Sequence, residues 1–305
     1  MQDLHFAPDL DSPIPYLQRT REYYLALGYG NPYRWATYPD VPFALLSKPL
    51  TQCRVGLITT GAPYQPGKGE QGPGAPYNWA AKFYEVYSRP TEGVHDIRIS
   101  HIAIDRIHTT AGDSGTYFPL LALHHSRAKG LIGDVAPRFH GAPTNRSHRT
   151  SLESDCPELV KRCREDRADA VVLVANCPVC HQSVSLAARA LEAAGIPTVV
   201  MGCAKDIVEH IGVPRFVFSD FPLGNACGRP QDPGSQAQTL ELALALLAAA
   251  PAPRTTVQSP LRWQEDPAWK LDYCNIELLA ASEIARLRAE NDRHQEVARN
   301  LREGV

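Results

Sequence analysis

No apolar run in this 305-residue chain is long enough to cross a bilayer; the strongest, Leu242 to Ala250, stops at Pro251. The opening MQDLHFAPDLDSPIP is acidic and broken by proline, which is not the pattern of a secretory signal. Neither sign of charge dominates: Lys plus Arg number 31 and Asp plus Glu 33, a net charge of -2. Nothing electrostatic therefore draws the chain to nucleic acid or to an anionic membrane. Nucleotide-binding glycine patterns are also missing. KGEQGPG lacks the order of a phosphate-binding loop, and no GxGxxG opens a helix. Eight cysteines in so long a chain are too dilute for a disulfide framework. They predict reduced thiols in a cytoplasmic protein, with any close pair being redox-active or metal-binding.

What is present is ordinary globular material, 44% hydrophobic and 21% charged, enough for a sizeable core. Residues 1–50 read as a peripheral wrap: helical spacing runs from Pro13 to Leu27, and Pro32, Pro39, Pro42 and Pro49 then keep the chain extended. Residues 51–150 read as a first α/β half with long polar loops. Its strands are Cys53–Thr60 and Ile97–Ile104, a helix spans Thr116–Gly130, and a long polar loop covers Leu131–Arg149. Residues 151–252 are the most regular. A helix at Glu158–Arg167 leads into strands at Ala170–Ala175, Thr198–Met201 and Phe216–Ser219, with helices at Ser183–Ala194, Lys205–Ile211 and Gln236–Ala249. Short β-branched strands alternating with helices predict mostly parallel, doubly wound α/β sheets in Rossmann- or flavodoxin-like halves. Residues 253–305 read as an irregular connection, Pro251 to Pro267, and a long amphipathic helix, Asn275–Leu301. That helix either packs on the domain or dimerises, and a homo-oligomer is expected.

The sharpest chemical signal is Asn176-Cys177-Pro178-Val179-Cys180-His181, directly after the VVLVA strand and before a helix. Ligands in parallel α/β sheets bind at the carboxyl ends of strands. A helix N-terminus there offers unpaired N–H groups and partial positive charge, which stabilise a thiolate. Cys177 is placed to attack, and Cys180 faces the same side if the first turn is helical, close enough to close a disulfide. A metal knuckle is the competing reading, but zinc usually takes two such pairs and no second CxxC exists. Cys203 and the run Asp220 to Cys227, containing Asn225, open on the same sheet edge and are candidates for substrate contact; a buried thiol and a helix cap are the plain alternatives.

The segments IRISHIAID, DRIHTTAGDSGTYFP, APRFHGAPTNRS and CPVCHQSVSLAARALEAAGIPTVVMG resemble the selenoprotein B family of D-proline, glycine, sarcosine and betaine reductases, and within it the D-proline reductase type. The similarity runs from about Cys53 to Pro260. In that family the position matching Cys177 is commonly selenocysteine, so this chain looks like its sulfur-only homologue. The resemblance implies reductive cleavage of a carbon–nitrogen bond of a small amine or amino-acid-like substrate. Cys177 is then the nucleophile, Cys180 the resolving thiol, and an external dithiol of the thioredoxin type the reductant. No bound cofactor or metal is expected, although a pyruvoyl-type partner subunit is a family feature. A thiolate is a weaker nucleophile and leaving group than a selenolate, so the substrate is not transferred with the chemistry.

Supporting residues are expected around this pair. Asp105 and His108, with His101 and Asp113 nearby, follow a strand end and suit acid–base work on the departing amine. Arg138, His140, Asn145 and Arg146 lie in the loop read as a lid, where a guanidinium grips a carboxylate bidentately. His181 is placed to bias thiol ionisation. Tyr77, Trp79 and Tyr84 form either a cage for a quaternary ammonium or plain core; His124 and His125 read as surface. Two other functions remain open. One is a cofactor-independent racemase, isomerase or lyase with a second thiol across the pocket, Cys53 or Cys203. The other is a zinc-binding or redox-sensing subunit of a complex.

Overall fold

The computed structural model describes residues 11–31 and 33–303. Of the expected N-terminal wrap, residues 1–10 and Pro32 lie outside the described residues. One eight-stranded sheet organises the rest. Its strands are β1 (Arg54–Thr59), β3 (Tyr87–Pro90), β5 (Asp134–Val135), β6 (Arg138–Gly141), β7 (Ala170–Val174), β8 (Thr198–Gly202), β9 (Arg215–Phe218) and β10 (Thr255–Gln258). A separate antiparallel ribbon joins β2 (Ala62–Pro63) to β4 (Ile97–Arg98). The order across the large sheet is β10-β9-β8-β7-β1-β6-β3, with β5 beside the start of β1. Every pair is parallel except β3 with β6.

The helices are α1 (Tyr16–Ala26), α2 (Leu120–Ala128), a single turn α3 (His148–Thr150), α4 (Cys156–Glu165), α5 (Pro178–Ala193), α6 (Lys205–Ile211), α7 (Pro233–Ala249) and α8 (Ala281–Glu303). All five residues of β7, AVVLV, are buried, as a central parallel strand covered on both faces requires. Among the described residues, no helix is long and apolar enough to cross a membrane.

The chain switches direction at β1. From there it builds β5 and β6 on one side, then crosses through α4 to β7 and continues outward through β8, β9 and β10 on the other. The carboxyl ends of β1 and β7 thus flank the topological switch point, where neighbouring loops diverge and leave a crevice. Thr60 follows one strand and Asn176-Cys177 the other. Asn176 Nδ2 donates to Thr60 Oγ1 across 3.1 Å.

Several boundaries differ from the sequence reading. The two α/β halves share one sheet, because β1 pairs with both β6 and β7. Ile97–Ile104 is strand only at Ile97–Arg98; beyond it, turn bonds such as Ile102 N–H to Ile99 O curl the chain. Ile97, Ile99, Ile102 and Ile104 are nevertheless all buried, so the alternation reflects a loop packed on the core rather than a pleat. The expected helix from Thr116 begins at Leu120, behind Pro119, after a short turn capped by Asp113. The expected polar lid at Leu131–Arg149 contains β5 and β6. The connection after Pro251 contains β10, whose TTV pairs with β9. The last helix starts at Ala281, behind a short turn at Ile276–Leu278.

The N-terminal segment is tied down over α5 and α6. Gln182 on α5 accepts the Ala36 N–H at 2.9 Å and donates to the Tyr33 hydroxyl. Asp206 at the start of α6 accepts the Leu17 N–H at 2.7 Å. On the far side, Arg288 of α8 stacks over Tyr29 at 3.8 Å and donates to Leu27 O at 2.6 Å, while Asn291 and Asp292 hydrogen-bond the Tyr29 hydroxyl. The two ends of the described chain therefore close over the crevice.

Candidate active site

Cys177 is the N-cap of α5, with extended backbone, and Pro178 follows at the first helical position, where its missing N–H costs nothing. The Cys177 sulfur does the work of a capping oxygen, accepting the Cys180 N–H at 3.2 Å. This is why α5 starts five residues earlier than its apolar periodicity suggests. Burial pushes both thiols up, but for Cys177 it is outweighed: the Cys180 S–H and N–H, the Lys82 charge and the Ala103 N–H all favour the thiolate, leaving it below the usual thiol range. Cys180 is displaced the other way, well above that range, by burial and by the neighbouring Cys177 sulfur, with only partial relief from Thr60 and Asn176. The two sulfurs are therefore displaced in opposite directions, Cys177 toward thiolate and Cys180 away from it.

His181 holds this geometry. It is fully buried, its Nδ1 lies 2.7 Å from Cys177 O, and its Nε2 accepts the N–H groups of Cys203 at 2.9 Å and Ala204 at 3.0 Å. Those acceptor roles make it the neutral Nδ1–H tautomer, and burial lowers its pKa to about 4. It ties the end of β7 to the end of β8. Gly202 is required beside it, because a Cβ there would lie 2.5 Å from His181 Nε2. His181 therefore faces neither solvent nor substrate.

Above Cys177 is a cavity of about 310 Å³. Cys177, Pro178 and Val179 form part of its wall; α1 adds Thr20, Tyr23 and Tyr24, the N-terminal segment Tyr33 and Trp35, and α8 Leu287, Glu290 and Asn291. Tyr77, Trp79, Lys82, Arg106, Thr144, Arg146, Tyr273 and Cys274 complete it, with the backbone stretch Ile102 to Ile104. Arg106 donates to the carbonyls of Ala75, Ile102 and Ser100 and lies over the Tyr77 ring. Arg146 donates to the Tyr24 hydroxyl at 3.3 Å and lies over the Tyr24 and Trp79 rings. A second cleft of about 250 Å³ adjoins, sharing Trp79, Lys82 and Arg146 and adding Tyr84, Asn145, Gln295 and Arg299.

Of the residues singled out from sequence, Cys177, Arg146, Tyr77 and Trp79 line the cavity, and Asn145 lines the cleft, held by Tyr84 O and Asp155. Cys180 lies buried behind Cys177. The others are placed elsewhere. Arg138 and His140 lie on β6, not on a lid, where Asp166 pairs with Arg138 at 2.7 Å and with His140 at 3.1 Å; neither lines the cavity. Asp105 accepts the N–H groups of Ile107 and His108 and pairs with the His108 ring at 2.9 Å, while Asp272 holds the other ring nitrogen at 3.1 Å. That trio stands behind the wall built by its chain neighbours Ile104, Arg106 and Tyr273. Cys203 is buried, Asp220 is paired with Lys270 at another cleft, and Asn225 is buried in its loop, donating to Pro222 O. His101 is buried beside Phe83, and burial lowers its pKa to about 3. His125 is exposed, and His124 bonds Thr91 O.

Neither thiol named as an opposing acid–base partner faces Cys177. Cys53 lies at the amino end of β1 near the carbonyls of Lys48 and Pro49, and Cys203 is packed away from the cavity. The second thiol that lines the cavity is Cys274, in the left-handed region at φ 49° and pushed up to about 12 by burial. All eight cysteines are free thiols. Among the described residues, no group of three or more His, Cys, Asp or Glu side chains is placed to share a metal ion. The residues missed from sequence, Tyr23, Tyr24, Tyr33, Trp35, Arg106, Tyr273 and the α8 side chains, come from segments far apart in the chain. Only the long-range packing brings them together.

No protein-family model and no solved structure matches the chain. Two curated proteins are similar to it. The D-proline reductase subunit gamma of Acetoanaerobium sticklandii is 25% identical over 226 residues, 74% of this chain and 90% of that protein. The glycine reductase complex component B subunit gamma of Symbiobacterium thermophilum is 22% identical over 225 residues. That match covers 72% of this chain and about half, 51%, of the longer relative. The resemblance read from the motifs is thus matched by curated subunits of reductase complexes, over most of the chain and at low identity.

Proposed function

We propose that this chain is the thiol-bearing subunit of a reductase that cleaves a carbon–nitrogen or related carbon–heteroatom bond in a small amine or amino-acid-like substrate. The observation that carries the reading is the pairing of a cavity-lining sulfur, Cys177, with the buried Cys180 behind it, whose N–H it accepts at 3.2 Å, the first thiol displaced toward thiolate and the second away from it. Similarity to two reductase subunits supports the same class of chemistry.

In this reading the Cys177 thiolate attacks the carbon bearing nitrogen. A C–S bond forms, the C–N bond breaks, and the departing amine takes a proton. Cys180 gives up its proton and attacks the Cys177 sulfur, forming the S–S bond. The C–S bond breaks, and the carbon keeps that electron pair and is protonated as the reduced product. An external dithiol of the thioredoxin type supplies two electrons to reopen the disulfide. Activation of the amine belongs to a pyruvoyl-type partner subunit or to a substrate that needs none.

The test is a single turnover without reductant on candidate amines, followed by peptide mapping. A Cys177–Cys180 disulfide formed in proportion to product supports the assignment, and C177S is expected to abolish turnover. Normal turnover by C177S would remove it. The shared cavity of Cys177 and Cys274 favours one second reading, proton transfer between two thiols in an isomerase. Solvent deuterium uptake at the substrate carbon without any reductant would select that reading.

A further inference from the structure

The cavity walls have a composition that the thiol chemistry alone does not call for. Five tyrosines and two tryptophans line its volume of about 310 Å³. Such surfaces accept flat bodies by stacking and edge contacts. Its charged lining is lopsided. Arg106 and Arg146 have no carboxylate partner among the described residues, and Glu290, the acid that lines the same cavity, is engaged by Arg286 at 3.1 Å. In the adjoining cleft Arg146 and Arg299 lie beside Lys82, which bonds Thr144 O at 3.1 Å, and among the described residues no acid lines it. Arg146 belongs to both spaces and lies over the Trp79 ring, so the aromatic chamber and the cationic cleft meet at one side chain. Cations supporting only the thiolate would gather at the sulfur; Arg299 lines the cleft but not the cavity that holds Cys177.

We propose that the site takes a carboxylate-bearing ligand with a flat, unsaturated body, its anionic end at Arg146 and Arg299 in the cleft and its body among the rings above Cys177. A planar guanidinium matches a carboxylate bidentately, and the rings favour an aromatic or conjugated frame over a small aliphatic one. The substrate class is thereby narrowed to amine-bearing acids with a conjugated frame. That step rests on the reductase reading; the ligand class itself does not.

The full chain is titrated with four probes, followed by tryptophan fluorescence, since Trp35 and Trp79 line the cavity. Benzoate is expected to bind at least about tenfold more tightly than benzamide or cyclohexanecarboxylate, tenfold being one good contact. R146M and R299Q are each expected to weaken benzoate at least about fivefold with little change for benzamide. Equal binding of benzoate and benzamide, or tighter binding of benzyltrimethylammonium, overturns the anionic end. Equal binding of cyclohexanecarboxylate overturns the flat body. Misfolding of a variant is read separately by its melting curve, and the four-probe ranking on the unaltered chain stands without it. Failure of Cys177 to react as a nucleophile would sink the reductase reading and leave these affinities as they are.

Discussion

The backbone N–H of Cys180 lies 3.2 Å from the sulfur of Cys177, so one cysteine caps the helix that carries the other. The bond makes the two thiols unequal partners. It also predicts that their ionisation is coupled, with Cys177 titrating below the usual thiol range.

Alkylation of Cys177 by iodoacetamide is expected to rise with pH and reach half its maximum below the pH typical of a free thiol, because only the thiolate reacts. Cys180→Ala removes the S–H bond that favours the anion, so the half-maximum moves up. A profile unmoved by Cys180→Ala would mean that the Cys180 thiol contributes nothing.

Cys180→Ser is expected to stop the cycle after the first step. The substrate-derived fragment then stays on Cys177 and is visible by intact mass. Full catalytic turnover by this variant would remove Cys180 from the resolving role.

His181→Asn is expected to destabilise the fold by about 2–5 kcal/mol, since buried N–H groups lose their acceptor. The sign with pH follows from linkage. The folded pKa, about 4, lies below the unfolded value of about 6.5. The neutral imidazole's contribution is therefore full above pH about 6.5 and fades as pH falls toward 4. Urea unfolding at pH 7.5 and pH 5 should show a smaller deficit for the variant at the lower pH.

Arg138→Ala is expected to cost about 1 kcal/mol, as its ion pairs are partly solvent-exposed, and to leave Cys177 alkylation unchanged. A clear change in Cys177 alkylation in this variant would return Arg138 to the site.

Arg288→Ala removes the stack on Tyr29 and the bond to Leu27 O that hold α8 over the cavity. Cys177 is expected to alkylate several-fold faster at unchanged pH dependence, read by stopped-time mass mapping. No change would mean that α8 does not gate access.

Part of the candidate site was legible in the residues themselves. Cys177 and Cys180 stood out because a strand end, a proline and a helix start are local features. The parallel sheet was legible for the same reason: AVVLV and TVVMG are unbroken buried strands. Arg138 and His140 were read as part of a lid because a four-residue strand, RFHG, carries too little pattern to betray pairing with both β1 and β3. Asp105 and His108 stood out by spacing, while Asp272, which holds the other nitrogen of the His108 ring, arrives from the far end of the chain. Tyr24, Trp35 and Tyr273 gave no signal, because an aromatic residue in a wrap or connection looks like any other until packing turns it inward.

The most direct measurement is timed alkylation of the native chain near pH 7, with every cysteine mapped by mass. The account predicts that Cys177 is labelled first, well ahead of Cys180 and Cys274. An inert Cys177, or labelling that begins at Cys180 or Cys274, would contradict it.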